Sequence, residues 1–328
     1  MRVSVKTPSR LHFSLIDMNG SLNRINGSIG LALNFPSYEI EVTPSKELEV
    51  HGEQTELFEK AALIFYNQLN LKEKATIKIL KTIPRHVGLG STTQGYLGIG
   101  SALSRLHNIK LSTRQLAEIM GRGGTSGIGT AAFQTGGFIL DGGHSLKIIK
   151  RENIFVPSSI SKLPPPPVLL QYKFPTNWKF VIAIPNIEKG LHGRKEVRIF
   201  EERCPIPSQE VGEMCRLILM KILPAILEED IEEFGSGISS LENLGFAKST
   251  SDLMHSVTKT CIELMKNNGA FGVGQSSFGP TTYGIVKGVT EAKKLSTMIR
   301  SYLEDKFNGG EVFYSEANNK GHELKIDE

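Results

Sequence analysis

The segment that most constrains the fold is residues 83–103, which read "IPRHVGLGSTTQGYLGIGSAL". Gly88 and Gly90 stand directly before a run of hydroxyl residues at 91–93, and an apolar stretch with helical spacing follows. This order predicts the end of a strand, a tight turn and the first turn of a helix. Since that first turn leaves backbone N–H groups unpaired and carries partial positive charge, it can hold a phosphate. A turn that only packs a helix on a sheet has the same spacing, so both interpretations stay open.

This segment matches neither of two well-known nucleotide-binding motifs. It lacks the pattern G-x-x-x-x-G-K-[ST] of the Walker loop. It also lacks the pattern G-x-G-x-x-G, so a dinucleotide-binding fold is not indicated.

Two further glycine-rich segments follow. Residues 121–144 read "GRGGTSGIGTAAFQTGGFILDGGH", and residues 269–284 read "GAFGVGQSSFGPTTYG". Such glycine density is typical of a backbone that turns tightly or passes close to a ligand. The titratable side chains of the first segment are Arg122, Asp141 and His144, and the last two also suit a hairpin turn. The second segment either closes over a ligand or simply joins a helix to a strand.

A polar cluster lies near the amino terminus, in "KTPSRLHFSLIDMNGS" at residues 6–21. Strand alternation predicts that Arg10, His12 and Ser14 share one face, with Asp17 at the end of the strand. A single histidine on a strand is often a core residue whose hydrogen bonds are satisfied. The neighbouring Arg10 and Asp17 make a catalytic role an equally good interpretation.

The remaining patterns predict an α+β fold with two domains. Alternating or β-branched runs predict strands, and apolar residues at helical spacing predict helices. The predicted strands are 3–7, 38–43, 76–80, 178–184, 281–286 and 311–314, and the predicted helices are 56–69, 97–106, 114–120, 211–223, 226–239, 252–266 and 290–306. The proline run at 164–167, within "VPSSISKLPPPPVLL", favours an extended linker or an edge crossing. We therefore expect domains at residues 1–160 and 161–328.

Composition narrows the class of protein. The chain has 328 residues, 39% hydrophobic and 22% charged, which is typical of a soluble globular protein. The net charge of +4 is spread along the chain, so a nucleic-acid partner is not expected. The three cysteines, Cys204, Cys215 and Cys261, have no metal-ligand spacing and suggest reduced thiols. No membrane span or signal peptide is apparent, so we expect a cytoplasmic location and no membrane partner.

Three segments together resemble the GHMP kinase superfamily, which includes galactokinase, homoserine kinase and mevalonate kinase. The segment "IPRHVGLGSTTQ" resembles the phosphate loop P-x-x-x-G-L-G-S-S, "TPSRLHFSLID" the amino-terminal substrate motif, and "GVGQSSFGPTTYG" the carboxy-terminal glycine loop. They occur in the family's order and span most of the chain. The resemblance implies a GHMP-kinase-like two-domain fold, with a two-layer α+β amino-terminal domain and a ferredoxin-like carboxy-terminal domain.

One departure from the kinase pattern bears on function. Kinases such as mevalonate kinase carry a segment like P-S-G-[IT]-D-N, whose aspartate acts on the substrate hydroxyl. The matching run here is "TSGIGT", residues 125–130, so Gly129 stands where the carboxylate belongs. Arg10 likewise stands where several kinases have a lysine. Because a positioned general base contributes roughly 10²–10⁴-fold in rate, phosphoryl transfer to an alcohol is not expected.

The whole pattern is most similar to a non-kinase branch, the β-ribofuranosylaminobenzene 5'-phosphate synthases of methanopterin biosynthesis. The shared segments are "SRLHFSLIDMNGS", "GRGGTSGIGTAAFQTGGFILDGGH", "GLHGRKEVRIF" and "GQSSFGPTTYG". This resemblance implies condensation of phosphoribosyl pyrophosphate with 4-aminobenzoate or 4-hydroxybenzoate, with release of CO2 and pyrophosphate in the presence of Mg²⁺. It also implies an archaeal source and a homodimer.

These placements suggest roles for individual residues. Arg10 would neutralise a phosphate or carboxylate, and His12, Asp17 or His144 would take the proton from the para substituent of the acceptor. Thr92 would also bind Mg²⁺, as the matching kinase hydroxyl does. The predicted phosphate-binding residues are Arg85, Gly88, Gly90, Ser91, Thr92 and Thr93, and the predicted site-closing residues are Gly274, Gln275, Ser276 and Ser277.

Three questions stay open at this point. Within "GLHGRKEVRIFEE", Gly190, His192, Arg194 and Glu196 either contact the acceptor or ribose or form a solvated helix face. An ATP-dependent kinase with an unconventional base is one alternative function. A non-catalytic relative that binds a phosphorylated metabolite is another.

Overall fold

Two β-sheets organise the chain in this computed structural model, which describes residues 1–71, 74–149, 154–157, 160–187 and 194–327. The strands are β1 (Arg2–Asp17), β2 (Arg24–Ser45), β3 (Glu49–His51), β4 (Lys74–Lys81), β5 (Phe138–Asp141), β6 (His144–Ser145), β7 (Val168–Tyr172), β8 (Trp178–Pro185), β9 (Gly272–Gln275), β10 (Thr282–Lys287), β11 (Gly310–Glu316) and β12 (Glu323–Asp327). The α-helices are α1 (Thr55–Leu69), α2 (Ser91–Leu106), α3 (Thr113–Ile119), α4 (Ile128–Gln134), α5 (Arg194–Arg203), α6 (Ser208–Leu217), α7 (Leu223–Leu227), α8 (Ile231–Leu241), α9 (Gly245–Ser249), α10 (Ser256–Asn267) and α11 (Gly288–Lys306).

The first sheet has the order β12-β1-β2-β4-β3, with β5 and β6 on β2 and β7 on β5. Its long strand β1 is irregular, because the register with β2 shifts between Thr7 and Ser9 and again between His12 and Ser14. The second shift interrupts the simple alternation, so the prediction that Ser14 shares a face with Arg10 and His12 stays a prediction. A bulge re-aims the side chains that follow it.

The second sheet has the order β11-β8-β10-β9, and all its neighbours are antiparallel. In chain order this is 4-1-3-2, with helices between the first and second strands and between the third and fourth. That is the ferredoxin-like arrangement β-α-β-β-α-β. The carboxy-terminal half therefore has the topology that the resemblance implied.

One aromatic core joins the two sheets. Phe13 of β1 stacks at 6.4 Å from Phe180 of β8 and meets Tyr283 of β10 at 5.4 Å between ring centroids. Phe234 of α8 packs at 6.4 Å from the same Phe13. Because β1 touches both sheets, the residues that follow its core positions lie at the junction between them.

Strands from beyond residue 160 return to the first sheet. Strand β7 pairs with β5, and β12 pairs with β1 from Arg2 to Lys6. The short edge strand β12 was not predicted. The division of the chain at residue 160 stays a prediction.

Most predicted elements are confirmed with longer bounds. The helix predicted at 97–106 begins at Ser91, since the glycines that follow Ser91 do not end it. Gly98 faces β1, and a Cβ there would lie 2.9 Å from Thr7 Cγ2. The helix predicted at 252–266 begins only at Ser256, where the His255 side chain accepts a hydrogen bond from Val257 N. The helix predicted at 211–223 is α6, which continues through a π-helical turn into α7.

Candidate active site

The phosphate loop forms the mouth of α2, as its sequence predicts. Gly90 is the residue before the helix, has φ +79° and provides no side-chain cap. The backbone N–H groups of the first turn are therefore left to a ligand. Gly88 packs so closely on Ser276 that a Cβ would collide with the Ser276 carbonyl oxygen. The carboxy-terminal glycine loop thus lies directly on the phosphate loop.

A cavity of about 210 Å³ opens at this helix end. We call it the phosphate-loop cavity. Its walls come from β1, the loop before α2, the segment before α4, and α5. Its lining includes Arg10, His12, Gly88, Gly90, Ser91, Thr92, Thr93, Arg122, Ser126, Gly129, Glu196, Ser277 and Phe278.

Two arginines line this cavity. Arg10 donates to the carbonyl oxygen of Gly88, and Arg122 donates to Thr93 Oγ1 at 3.0 and 3.2 Å. Burial and the neighbouring Arg122 lower the pKa of Arg10 to about 10, and burial also lowers the pKa of Arg122. Both stay cationic near neutrality. Two cations held in one partly buried cavity repel each other, and a bound anion would relieve that repulsion.

His12 lines the same cavity but is not a cation there. Burial and the adjacent Arg10 lower its pKa to about 3. Its backbone N–H donates to Ser276 Oγ at 3.0 Å, and Ser277 N donates to its carbonyl at 3.3 Å. Ser276 Oγ in turn donates to the Gly88 carbonyl at 2.8 Å. The predicted closing residues therefore tie β1 to the phosphate loop.

Gly129 lies on the second residue of α4, where its missing side chain matters. A Cβ there would lie 3.0 Å from Thr93 Cγ2, tighter than ordinary packing. Thr93, which accepts from Arg122, therefore occupies the space beside Gly129. Glu196 of α5 supplies a carboxylate to the same cavity.

Ser126 connects the cavity to a buried carboxyl group. Ser126 Oγ lies 2.6 Å from Ser28 Oγ, and Ser28 donates to Asp141. Asp141 also accepts from Gly127 N and Gly143 N, each at 2.9 Å. Burial raises the pKa of Asp141 to about 6. Asp141 therefore fixes the glycine-rich segment that carries Ser126.

Three predicted site residues lie elsewhere. Asp17 accepts from Asn19 N and Gly20 N in the turn after β1. His144 is buried with its ring nitrogens at Asn26 and the Pro164 carbonyl. Arg85 lies beside Tyr38 and Tyr96. None of the three is among the described residues that line the phosphate-loop cavity. His192 and Gly190 lie outside the described residues.

A larger cavity of about 480 Å³ adjoins the first. We call it the acceptor cavity. His12, Leu15, Ser277 and Phe278 line both cavities and form their common wall. Apolar atoms form the larger part of the surface of this cavity. The volume of the cavity falls in the range of roughly 300–1,000 Å³ typical of small-molecule sites. Its lining also includes Phe246, His255, Thr258, Glu242 and Lys195.

Glu242 is the acidic residue that the sequence analysis missed. It follows the last residue of α8, and its Oε1 accepts from Gln275 N at 3.0 Å. Burial raises its pKa to about 7. Its sequence surroundings, "SSLENLGF", contain no signal that separates it from a surface glutamate.

The described residues include no group of three or more histidine, cysteine or acidic side chains that could hold a metal. In the same part of the chain no helix is long and apolar enough to cross a membrane. Cys204, Cys215 and Cys261 are free thiols, as their spacing predicted.

Comparison with known proteins identifies the family. Residues 56–137 match the GHMP kinases N terminal domain, and residues 222–305 match the GHMP kinases C terminal model. The β-ribofuranosylphenol 5'-phosphate synthase of Archaeoglobus fulgidus is 41% identical over 98% of this chain and 99% of its own length. The protein of the same name from Methanocaldococcus jannaschii is 39% identical, again over 98% and 99%.

A solved structure shows the same fold at low sequence identity. Phosphomevalonate kinase of Streptococcus pneumoniae superposes with a TM-score of 0.69 at 13% identity, covering 97% of this chain and 100% of that one. This superposition and the two domain matches confirm the predicted GHMP-kinase-like fold, and the two relatives at 41% and 39% identity confirm the predicted synthase branch. The chain belongs to the β-ribofuranosylphenol 5'-phosphate synthase family of the GHMP kinase superfamily.

Proposed function

We propose that this enzyme condenses phosphoribosyl pyrophosphate with 4-hydroxybenzoate, releases CO2 and pyrophosphate, and so serves methanopterin biosynthesis. The relatives' name specifies a ribofuranosylphenol product, which favours the hydroxy acid over 4-aminobenzoate. The proposal rests on Arg10 and Arg122, which both line one cavity. This cavity lies at the N-terminus of α2, which has no side-chain cap. Such a site suits a polyanionic sugar donor.

The two cavities suit the two substrates. Phosphate groups of the donor would bind to the N–H groups and hydroxyls at Ser91, Thr92 and Thr93, between the two arginines. The aromatic acid would place its ring against the apolar walls of the acceptor cavity, beside Phe246 and Phe278. His12 and Ser277 border both cavities, so the reacting carbon atoms would meet beside them.

Mg²⁺ fits the oxygen-rich side of the phosphate-loop cavity. It prefers oxygen ligands and is commonly held by one or two carboxylates together with substrate phosphates. The Thr92 hydroxyl and the Glu196 carboxylate are such oxygens in the described chain. Bound with the donor, Mg²⁺ would neutralise negative charge on the departing pyrophosphate.

The bond changes require no base beside residue 129. The ring carbon that bears the carboxylate attacks the anomeric carbon, and the bond from that carbon to the pyrophosphate oxygen breaks. The carbon–carboxylate bond then breaks, CO2 leaves and its electron pair restores the aromatic ring. Arg10 and Arg122 stabilise the charge that develops on the leaving group. The missing carboxylate at Gly129 is therefore consistent with this reaction and unfavourable for an alcohol kinase.

A label-release assay tests the proposal. Carboxyl-labelled 4-hydroxybenzoate, phosphoribosyl pyrophosphate and Mg²⁺ should give labelled CO2 and pyrophosphate in equal amounts. Consumption of ATP with an alcohol acceptor and no label release would support the kinase alternative, with Glu196 as its carboxylate. Tight binding of the sugar pyrophosphate with no turnover would support the non-catalytic alternative. The homodimer, archaeal source and cytoplasmic location stay predictions.

A further inference from the structure

We infer that Glu242 is the catalytic base that takes the proton of the acceptor's para hydroxyl during condensation. The inference rests on the proposed function and adds a residue role to it. Glu242 stands in the wall of the acceptor cavity, where Gln275 N fixes one of its carboxylate oxygens at 3.0 Å. The common wall of the two cavities contains His12 and Ser277. An acceptor whose carboxyl end faces that wall would point its para substituent into the acceptor cavity, towards Glu242.

The surroundings of Glu242 indicate a group positioned for a ligand. A Cβ at Gly274 would lie 2.5 Å from Glu242 Oε1 and would collide with the Tyr283 hydroxyl, so only glycine leaves room for both oxygens. The Tyr283 hydroxyl is fully buried and makes no hydrogen bond within the described chain. Thr258, in the wall of the same cavity, also has a buried hydroxyl without a partner there. Buried polar atoms of this kind are rarely left unsatisfied, and a polar ligand in the cavity would satisfy the Thr258 hydroxyl.

The other candidate bases are less suitable. His12 has a pKa of about 3 and would hold a proton poorly. The side chains of Asp17 and His144 are engaged away from both cavities. His255 uses ring Nδ1 to accept from Val257 N at the start of α10. Besides His12, His255 and Glu242, the described lining contains one more titratable side chain, that of Lys195. Glu242 is the carboxylate there.

The proton balance is complete without an added reactant. As the ring carbon bonds to the anomeric carbon, the O–H proton passes to the Glu242 carboxylate and the ring becomes a neutral dienone. Loss of CO2 returns an electron pair to the ring, and Glu242 returns the proton to the oxygen. The base is regenerated in each turnover. Since burial raises its pKa to about 7, Glu242 can exchange a proton readily near neutrality.

The test compares Glu242→Gln with two acceptors. The amide keeps the acceptor oxygen for Gln275 N but cannot take a proton. With 4-hydroxybenzoate we expect kcat to fall roughly 100-fold. With 4-aminobenzoate the fall should be much smaller, because an amino lone pair donates to the ring without prior loss of a proton. Glu232→Gln, an exposed substitution on α8, the helix that Glu242 directly follows, is the matched control and should retain full activity with both acceptors.

A pH profile separates catalysis from a structural role. With 4-hydroxybenzoate the wild-type rate should rise with pH through about 7, and Glu242→Gln should lack that rise. The other titratable groups in the described lining of this cavity are His12 of β1, Lys195 of α5 and His255 before α10, and Tyr283 of β10 interacts electrostatically with Glu242. Equal losses with both acceptors and an unchanged profile would overturn the inference. Absence of CO2 release by the wild type would instead overturn the proposed function.

Discussion

The two cavities share one wall but have opposite chemistry. The phosphate-loop cavity is small and surrounded by hydroxyls, backbone N–H groups and the cations Arg10 and Arg122. The acceptor cavity is more than twice as large, mostly apolar, and has Glu242 as its carboxylate. The proposed polyanionic donor and aromatic acceptor would need these different surroundings, and the common wall at His12 would bring their reacting ends together. The phosphate loop that this chain shares with GHMP kinases therefore accounts for only one of the two cavities.

The strongest test of this contrast is Arg10→Ala. The change removes a cation from the phosphate-loop cavity and the side-chain donor to the Gly88 carbonyl. We expect kcat/KM to fall about 100- to 1,000-fold, as when a preorganised donor to a developing anion is lost. Steady-state kinetics with each substrate varied should assign the loss mainly to the sugar donor.

Arg2→Ala is the control for that experiment. Arg2 lies on the same strand β1 but is exposed and pairs with Asp327 at 2.9 Å. Its loss should leave activity within about twofold, because exposed ion pairs contribute little. Equal activity in Arg10→Ala and Arg2→Ala would remove the cationic cavity from the mechanism.

The phosphate loop could be predicted because its chemistry is local in the sequence. A helix mouth, its glycines and its hydroxyls lie within residues 83–103, and backbone geometry alone puts them together. That Arg10 and Arg122 line the same cavity could not be predicted, because it depends on the tertiary fold. Arg10 was predicted as a site residue only from the polar cluster at residues 6–21. The β1 bulge after His12 interrupts the alternation on which the prediction for Ser14 rested, and a register shift leaves no clear mark in the sequence.

A second test places the kinase carboxylate into the phosphate-loop cavity with Gly129→Asp. The new Cβ would press on Thr93 Cγ2 at 3.0 Å, and the carboxylate would lie within reach of Arg122. It would compete with the donor's phosphates, so we expect synthase activity to fall about tenfold to 100-fold, which corresponds to 1.4–2.8 kcal/mol. Gly129→Ala has the same steric contact without the charge and should lose much less. A gain of ATP-dependent activity in Gly129→Asp would contradict this interpretation.

The acceptor cavity could not be predicted, because its wall is assembled from distant segments. Ser14 of β1, Glu242 after α8, Phe246 of α9, Thr258 of α10 and Gln275 of β9 meet only in the folded chain. Each stands in an ordinary strand or helix pattern. The glycine-rich segment that contains Gly274 and Gln275 did offer a local signal, but the closeness of Gly274 to Glu242 and Tyr283 is visible only in the folded chain.

A third test addresses the acceptor cavity through Phe246→Leu. The ring centroid of Phe246 lies 4.7 Å from that of Phe200 and 5.6 Å from that of Phe278, so Phe246 supports the common wall of the two cavities. Loss of aromatic contact with the acceptor, roughly 1 kcal/mol, should raise its KM about three- to tenfold. The KM for the sugar donor should stay unchanged. The matched control is Phe313→Leu on β11. This substitution removes a ring contact with Phe35, whose centroid lies 5.0 Å from that of Phe313. Parallel changes in both KM values would mean that the cavities do not act separately.

The smallest effect concerns the stability of Glu242→Gln, which tests whether the acceptor cavity is poor in compensating charge. Burial raises the pKa of Glu242 from 4.5 to about 7, so the unfolded carboxyl ionises first as pH rises. The contribution of Glu242 to the free energy of unfolding of the wild type is therefore fully present below pH 4.5 and is lost as the pH rises through about 7. The amide does not ionise, so the two proteins should unfold at similar temperatures at pH 4.5, and the variant should be a few degrees more stable at pH 8. Thermal unfolding at several pH values measures the difference. A difference that does not change with pH would mean that Glu242 is solvated or paired in the folded state, and the charge contrast between the two cavities would be weaker than the structure indicates.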